Sequence, residues 1–280
     1  IILLLAGCEK DLPRYNDFQA YSFSSVDENG GNWKTILVSG GDQIAVPEPE
    51  AVTSNTYQAE LTALKTASSD LTLDQKDAIS YWTNNPFLRW NEIAQELVAK
   101  YNLIPGPNAD GTYTLPNPQN PGATPNFPFA HPPYAVRALA YLSVASFDGL
   151  ITAWHYKYAY QRPQPSDVDP SIVTAYEANG LPSYPSDAAV IARVSRDILT
   201  KMFPLEADYL AQKEEEHLAS LQWAGMHVAS DIEAGVDIGD QIAKIALDRA
   251  ATDGMSKAQC PKPVSDSIQA AAFARFGWKW

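Results

Sequence analysis

A chain of 280 residues, 45% of them apolar, is long enough to bury one large core, alone or with an N-terminal extension. Its formal net charge of -13 and pI near 4.6 argue against a surface that wraps nucleic acid or anionic lipid, because the long-range field repels both; a local positive pocket stays open. Two cysteines, Cys8 and Cys260, leave one conceivable pair and no disulfide framework to read.

The chain opens with an apolar run, Ile1 to Leu5, followed by Ala6, Gly7 and Cys8. LAGC looks like a bacterial lipobox, in which small residues give a processing peptidase room and the cysteine receives a diacylglyceryl group. This predicts that residues 1–7 are the remnant of a lipoprotein signal peptide and that Cys8 holds the protein at an envelope membrane, facing the periplasm or the exterior. The alternative is an ordinary hydrophobic start with an incidental cysteine. No later run of eighteen apolar residues predicts a membrane-crossing helix. Residues 8–50, with Gly30-Gly31, Gly40-Gly41 and the PEPE run Pro47 to Glu50, read as a tether and loop-rich extension.

From residue 51 the pattern becomes helical and stays so to about residue 255, with 256–280 as a C-terminal tail. Leu61 and Leu64, the stretch Thr72 to Ile79, and Trp90, Ile93, Leu97 and Tyr101 all recur at helical spacing. Nine prolines at positions 105, 107, 116, 118, 121, 125, 128, 132 and 133 forbid regular helix and predict a long excursion loop. Tyr134 to Tyr160, free of proline and apolar on most faces, predicts a long central helix ending at the Arg162-Pro163 and Gln164-Pro165 pairs. A second helix is expected from a Ser186 cap to Pro204, a third from Leu205 to Trp223 with KEEEH on its solvent side, and a last from Met226 to Asp253. No strand alternation appears after residue 55, so the fold class is mainly α.

Three blocks within this region carry chemistry: KYAYQRPQP from Lys157, LPSYPSDAA from Leu181 and SLQWAGMHVASD from Ser220. In layout they resemble the superfamily that joins type 2 phosphatidic acid phosphatases, bacterial acid phosphatases and vanadium-dependent haloperoxidases. That resemblance implies a helical bundle of the acid phosphatase and haloperoxidase type. It also implies a pocket of cations and N-H donors around a phosphoryl group, or around vanadate as its transition-state mimic. By position, Lys157 is the implied ammonium donor and Ser186 the implied phosphate-binding hydroxyl at a helix N-terminus. His227 is the implied nucleophile or ligand, with Asp231, four residues on, holding its ring.

The same mapping exposes departures. The expected arginine of the first block is Gln164, while Arg162 sits two places early as the nearest substitute; a two-residue shift on a helix turns a side chain to nearly the opposite face, so Arg162 serves only if that segment is not helical. The glycine and the acid-base histidine of the middle block are Asp187 and Ala188, and the arginine of the last block is Leu221. Two lost cations and one gained anion, each worth roughly 4 kcal/mol at 4 Å in a medium of dielectric near 20, amount to a deficit on the order of 10 kcal/mol for anion binding. Vanadate is the cofactor the resemblance implies, and this deficit argues against it; no other cofactor is indicated.

Three readings follow. One is phosphoester hydrolysis through a phosphohistidine at His227 on a small phosphorylated substrate, with a vanadate-dependent peroxidase as its sibling. Another is a catalytically lapsed envelope lipoprotein that keeps the scaffold to bind a ligand or partner. The third is a metal site built on Asp187, His227 and Asp231, although no standard ligand motif specifies a metal. Arg193 and Arg196, with Arg162, are the neighbouring cations that could reach into the pocket. Each residue has a plainer reading too: His227 and Asp231 as a structural pair, Lys157 as a surface lysine among tyrosines, His131 and His155 as packing residues, and Glu214 to Glu216 as a solvated helix face with His217 at the surface.

Overall fold

A computed structural model describes residues 27–83, 85–101, 109–111, 132–176, 180–255 and 262–277. Cys8, His131, Cys260 and most of the proline-rich stretch lie outside these residues. In chain order the helices are α1 (Asn55–Ala67), α2 (Leu73–Thr83), α3 (Pro86–Tyr101), α4 (Pro132–Tyr160), the single turn α5 (Pro165–Val168), α6 (Asp187–Met202), α7 (Ala207–Trp223), α8 (Ala229–Thr252) and α9 (Lys262–Phe276). No strand occurs among the described residues, so the mainly α expectation holds.

The core is arranged around α6, which packs against α4, α7 and α8. Its buried residues Val190, Val194, Ile198 and Met202 fall at i, i+4, i+8 and i+12, the stripe an amphipathic helix turns inward. Small residues bring α8 close: a Cβ at Gly235 would lie 2.2 Å from the carbonyl oxygen of Ser186, and one at Gly239 would lie 2.6 Å from Cβ of Arg193. Ser186 caps α6, its hydroxyl accepting from the Ala189 amide at 3.3 Å, as the sequence predicts. The two helix starts, Ser186 on α6 and Ala229 on α8, are therefore held side by side, and the Ser186 amide donates to the Asp231 carbonyl at 2.9 Å.

Helix α4 is the one described helix whose length and composition would let it cross a bilayer, in the stretch Pro132–Val168. Here it is a core helix, with Ala138, Leu142, Ala145 and Ala153 buried in the main cluster. Its end is set by Gln161, whose φ of 51° is left-handed, followed by Arg162-Pro163.

Residues 27–50 are irregular but lie on the helical body. Val38, Ile44 and Val46 enter the main core. The buried Asp148 carboxylate on α4 accepts from the amides of Ile36, Leu37 and Val38 at 2.5 to 3.1 Å, and the hydroxyls of Tyr156 and Tyr160 donate to the carbonyls of Ile44 and Val46.

One expectation fails clearly. Of the KEEEH stretch only Glu215 is exposed, with Lys213 and Glu216 half-buried, whereas Glu214 and His217 are buried, so His217 is not at the surface. Glu214 joins the Arg193 and Arg196 guanidiniums at 2.9 Å. His217 stacks on Trp82 at 4.3 Å and accepts from the Trp90 indole at 3.2 Å. Burial pushes its pKa down to about 3, so it is neutral. The reason is periodicity: Leu210, Glu214, His217 and Leu221 fall on the buried stripe of α7.

Candidate functional site

Four segments meet where α6 and α8 begin. The last turn of α4 supplies Lys157, the extended residues after it supply Arg162 and Gln164, the approach to α6 supplies Ser183, Ser186 and Asp187, and the approach to α8 supplies His227 and Asp231. Gly225, with φ of 72°, makes the turn out of α7 that lets the chain reverse into His227. Lys157, Ser186, His227 and Asp231, all singled out by sequence, are buried in this one region.

The lysine is a core residue, 1% exposed, which removes the surface reading. Its Nζ donates to the carbonyls of Pro182 at 2.7 Å and Ser183 at 3.3 Å, and sits 3.6 Å from Oδ1 of Asp187. Asp187, the first residue of α6, has a side chain 26% exposed. Its Oδ2 accepts from the Trp154 indole at 3.3 Å and its Oδ1 from the Ala188 amide at 3.1 Å. Burial raises the pKa of this carboxyl, but Lys157, then His227 and the Trp154 hydrogen bond, outweigh burial and hold it below the usual carboxylate range. The nearby Tyr176 phenol is pushed up to about 12 by burial and by this carboxylate.

His227 is 7% exposed, and its Nδ1 lies 3.8 Å from Oδ2 of Asp231 without a protein hydrogen-bond partner. Asp231 serves its own helix instead: Oδ2 accepts from the Val228 amide at 3.1 Å and Oδ1 from the Ser183 hydroxyl at 3.2 Å. A carboxylate in the first turn of α8 is also favoured by the helix dipole.

Arg162 meets the non-helical condition, since residues 161–164 carry no helix. Its Nε and Nη1 are buried without a hydrogen-bond partner. Its guanidinium donates to the Ser230 hydroxyl at 2.8 Å and lies 3.5 Å from Glu60 and 3.7 Å from Asp231. Tyr57 and Tyr184 flank it, with ring centroids 4.3 and 5.4 Å away. Gln164 donates to the Leu181 carbonyl at 2.6 Å, leaving its Oε1 buried and unpartnered. The other substituted positions bring no charge: Ala188 is half-buried and Leu221 packs with Ala189 and Ile232. Ser220 donates to the His217 carbonyl within its own helix. Arg193 and Arg196 are held by Glu214, Asp240 and Asp197, so neither reaches the pocket.

Sequence reading missed Tyr57 and Glu60 on α1, and Trp154, Ser183 and Ser230. Trp154 carries a faint signal, three residues before Lys157 on the same helix. Glu60 carries none, for it meets Ser230 across 170 residues of chain.

The arrangement of core helices and of these segments has relatives among solved structures. A bacterial vanadium-dependent iodoperoxidase matches with a TM-score of 0.61 at 17% identity, over 81% of this chain and 58% of its own. The apo and holo forms of a bacterial vanadium-dependent chloroperoxidase match with TM-scores of 0.59 and 0.57 at 13% and 12% identity, over 80% of this chain and 55% and 54% of theirs. The chain has the vanadium haloperoxidase fold. It spans little more than half the length of the haloperoxidases it matches. No family model matches the sequence, and no curated relative does.

Within this haloperoxidase-type fold the charges at the site sum unfavourably for an anion. Lys157 and Arg162 bring two positive charges, and Asp187, Asp231 and Glu60 bring three negative ones in contact with them. These five side chains together carry a net charge of minus one. Among the described residues, no three His, Cys, Asp or Glu side chains gather as a metal would require. Asp231 is already committed to Val228, Ser183 and Arg162, which removes the physical basis of the metal reading.

Proposed function

We infer that this is a divergent haloperoxidase-fold protein whose oxyanion pocket is closed by its own carboxylate. It acts as a non-catalytic scaffold for a ligand or partner and not as a phosphatase or peroxidase. The observation that carries this reading is the Lys157–Asp187 pair at 3.6 Å. An attraction of about 4 kcal/mol at that distance, for a dielectric near 20, is comparable to the whole free energy of a millimolar anion complex. An incoming phosphate must break that pair or accept the repulsion of the carboxylate. Vanadate does not fit these residues for the same reason: Arg162 keeps its Nε and Nη1 without hydrogen-bond partners, but the Glu60 and Asp231 carboxylates stand 3.5 and 3.7 Å from its guanidinium and repel an oxyanion. The LAGC motif supports an envelope location through acylated Cys8, which mass spectrometry of the mature N-terminus tests directly.

A hydrolase reading retains one specific support, the nearness of His227 to Asp231 beside Lys157 and Ser186, the layout a phosphohistidine route would use. Turnover of p-nitrophenyl phosphate by the purified protein decides between the two. The scaffold reading predicts equal, background rates for wild type and His227→Ala. A wild-type rate that falls a hundredfold or more in the variant, as about 2.7 kcal/mol of lost transition-state stabilisation, establishes the hydrolase instead.

A further inference from the structure

Two clefts open where α1, α7 and α8 come together. The first, about 390 Å³, lies between α7 and α8 and is lined also by Arg193 of α6. The second, about 460 Å³, lies between α1 and the junction of α7 with α8. Gln222 and Ala229 line both, so the two join into one groove, of a size that suits a small molecule. Lys157, Asp187 and His227 line no part of it.

The groove is acidic at one end and smooth at the other. In the first cleft Glu214 is the deep acid: its side chain is 9% exposed, and its Oε1, though 2.9 Å from Nε of Arg193, accepts no hydrogen bond. Glu215 on α7 and Glu233 on α8 line the same cleft, are exposed, and make no ion pair among the described residues. Three carboxylates against the one guanidinium of Arg193 leave this cleft with a net charge of -2. In the second cleft Ala59, Ala63 and Ala67 fall at i, i+4 and i+8, so the wall from α1 carries no side chain beyond Cβ along that face.

These features specify the charge and the shape of an occupant. No three His, Cys, Asp or Glu side chains among the described residues gather closely enough to share a metal ion. The carboxylates therefore require positive charge spread along a ligand and not held at one point. An aliphatic polyamine has this form, with ammonium groups separated by methylene runs that lie on apolar walls as the stem of a lysine does. The formal charge of -13 on the chain draws such a polycation towards the surface.

We propose that this groove binds an extended aliphatic polyamine, its ammonium groups at Glu214, Glu215 and Glu233 and its methylene chain along the alanine wall of α1. The site names a ligand for the scaffold reading without resting on it, because the Lys157–Asp187 pair takes no part.

Calorimetric titration of spermidine into the full chain tests this. Saturable one-to-one binding with Kd below about 1 mM is expected, weakened by high salt. Glu215→Gln with Glu233→Gln is expected to weaken it about tenfold, the combined effect of two exposed ion pairs. Ala63→Trp, which fills the smooth end, is expected to weaken it to a similar degree. Glu48→Gln with Glu50→Gln makes the same change of charge at exposed residues that line neither cleft, and is expected to leave binding unchanged. Thermal unfolding of all three variants should match the parent, because every substituted residue is exposed. The proposal is overturned by absence of spermidine binding, by parent-like binding in either groove variant, by an equal loss in the Glu48 and Glu50 control, or by equal binding of magnesium chloride. Binding of tetralysine without binding of spermidine would assign the groove to a basic peptide and overturn it as well.

Discussion

Arg162 shows how one displaced side chain decides what a site can do. Two residues away from the position where a phosphate-binding arginine belongs, it is 3% exposed and flanked by two tyrosine rings. Its charge is opposed by Glu60 at 3.5 Å and Asp231 at 3.7 Å, while its Nε and Nη1 carry no hydrogen bond. A buried ion pair of this sort adds little net stability, but removing one partner strands the others. Arg162→Met is therefore expected to destabilise the protein by about 3 to 5 kcal/mol in urea unfolding; a loss below about 1 kcal/mol would show that the guanidinium is dispensable to the fold. Asp187 is the other decisive residue. Lys157 holds its carboxyl below the ordinary carboxylate range, so it stays ionised through mildly acidic pH and acidification does not free Lys157.

Helices were legible where local chemistry marks them. Ser186 caps α6, Gln161 and Arg162-Pro163 end α4, and apolar stripes fix the inward faces. The grouping of Lys157, Ser186, His227 and Asp231 comes from the resemblance; helix markers alone put the start of the last helix at Met226, three residues before its start at Ala229, because Asp231 caps the Val228 amide. The seam between α6, α7 and α8 was not legible, since it is made of charged residues whose partners lie on other helices. There Asp197 faces Arg196, Asp240 and Glu214, and burial, with Asp240 and Glu214 adding to it, raises its pKa to about 6. A carboxyl raised in the folded state has its stability contribution fully present below about pH 4, and that contribution is lost as pH rises through 6. Asp197→Asn should thus stabilise the protein by about 1 to 2 kcal/mol at pH 8, the lost contact with Arg196 offsetting part of the gain, and change little at pH 4. Parallel unfolding curves for the two proteins at both pH values would contradict this.

At the scale of the whole molecule, the fold is shared at 12 to 17% identity with the haloperoxidases it matches, while positions 164 and 187 depart from the pattern that the sequence resemblance implies. Packing explains the first half: the α6–α8 approach depends on Gly235 and Gly239, and the inward stripes need only apolar volume. Electrostatics explains the second, because a single carboxylate at the start of α6 reverses what the helix terminus and Lys157 would otherwise attract. That the positions 187 and 164 depart from the phosphatase and haloperoxidase pattern was visible in the sequence. That Asp187 turns inward to Lys157, and that Arg162 is claimed by a glutamate from α1, required coordinates. Calorimetric titration of orthovanadate into the wild type and Asp187→Asn tests the closed pocket most directly. The wild type is expected to bind more weakly than about 1 mM, with at least tenfold tighter binding once the carboxylate is gone. Micromolar binding by the wild type that weakens in Asp187→Asn would mean that Asp187 belongs to a working anion site.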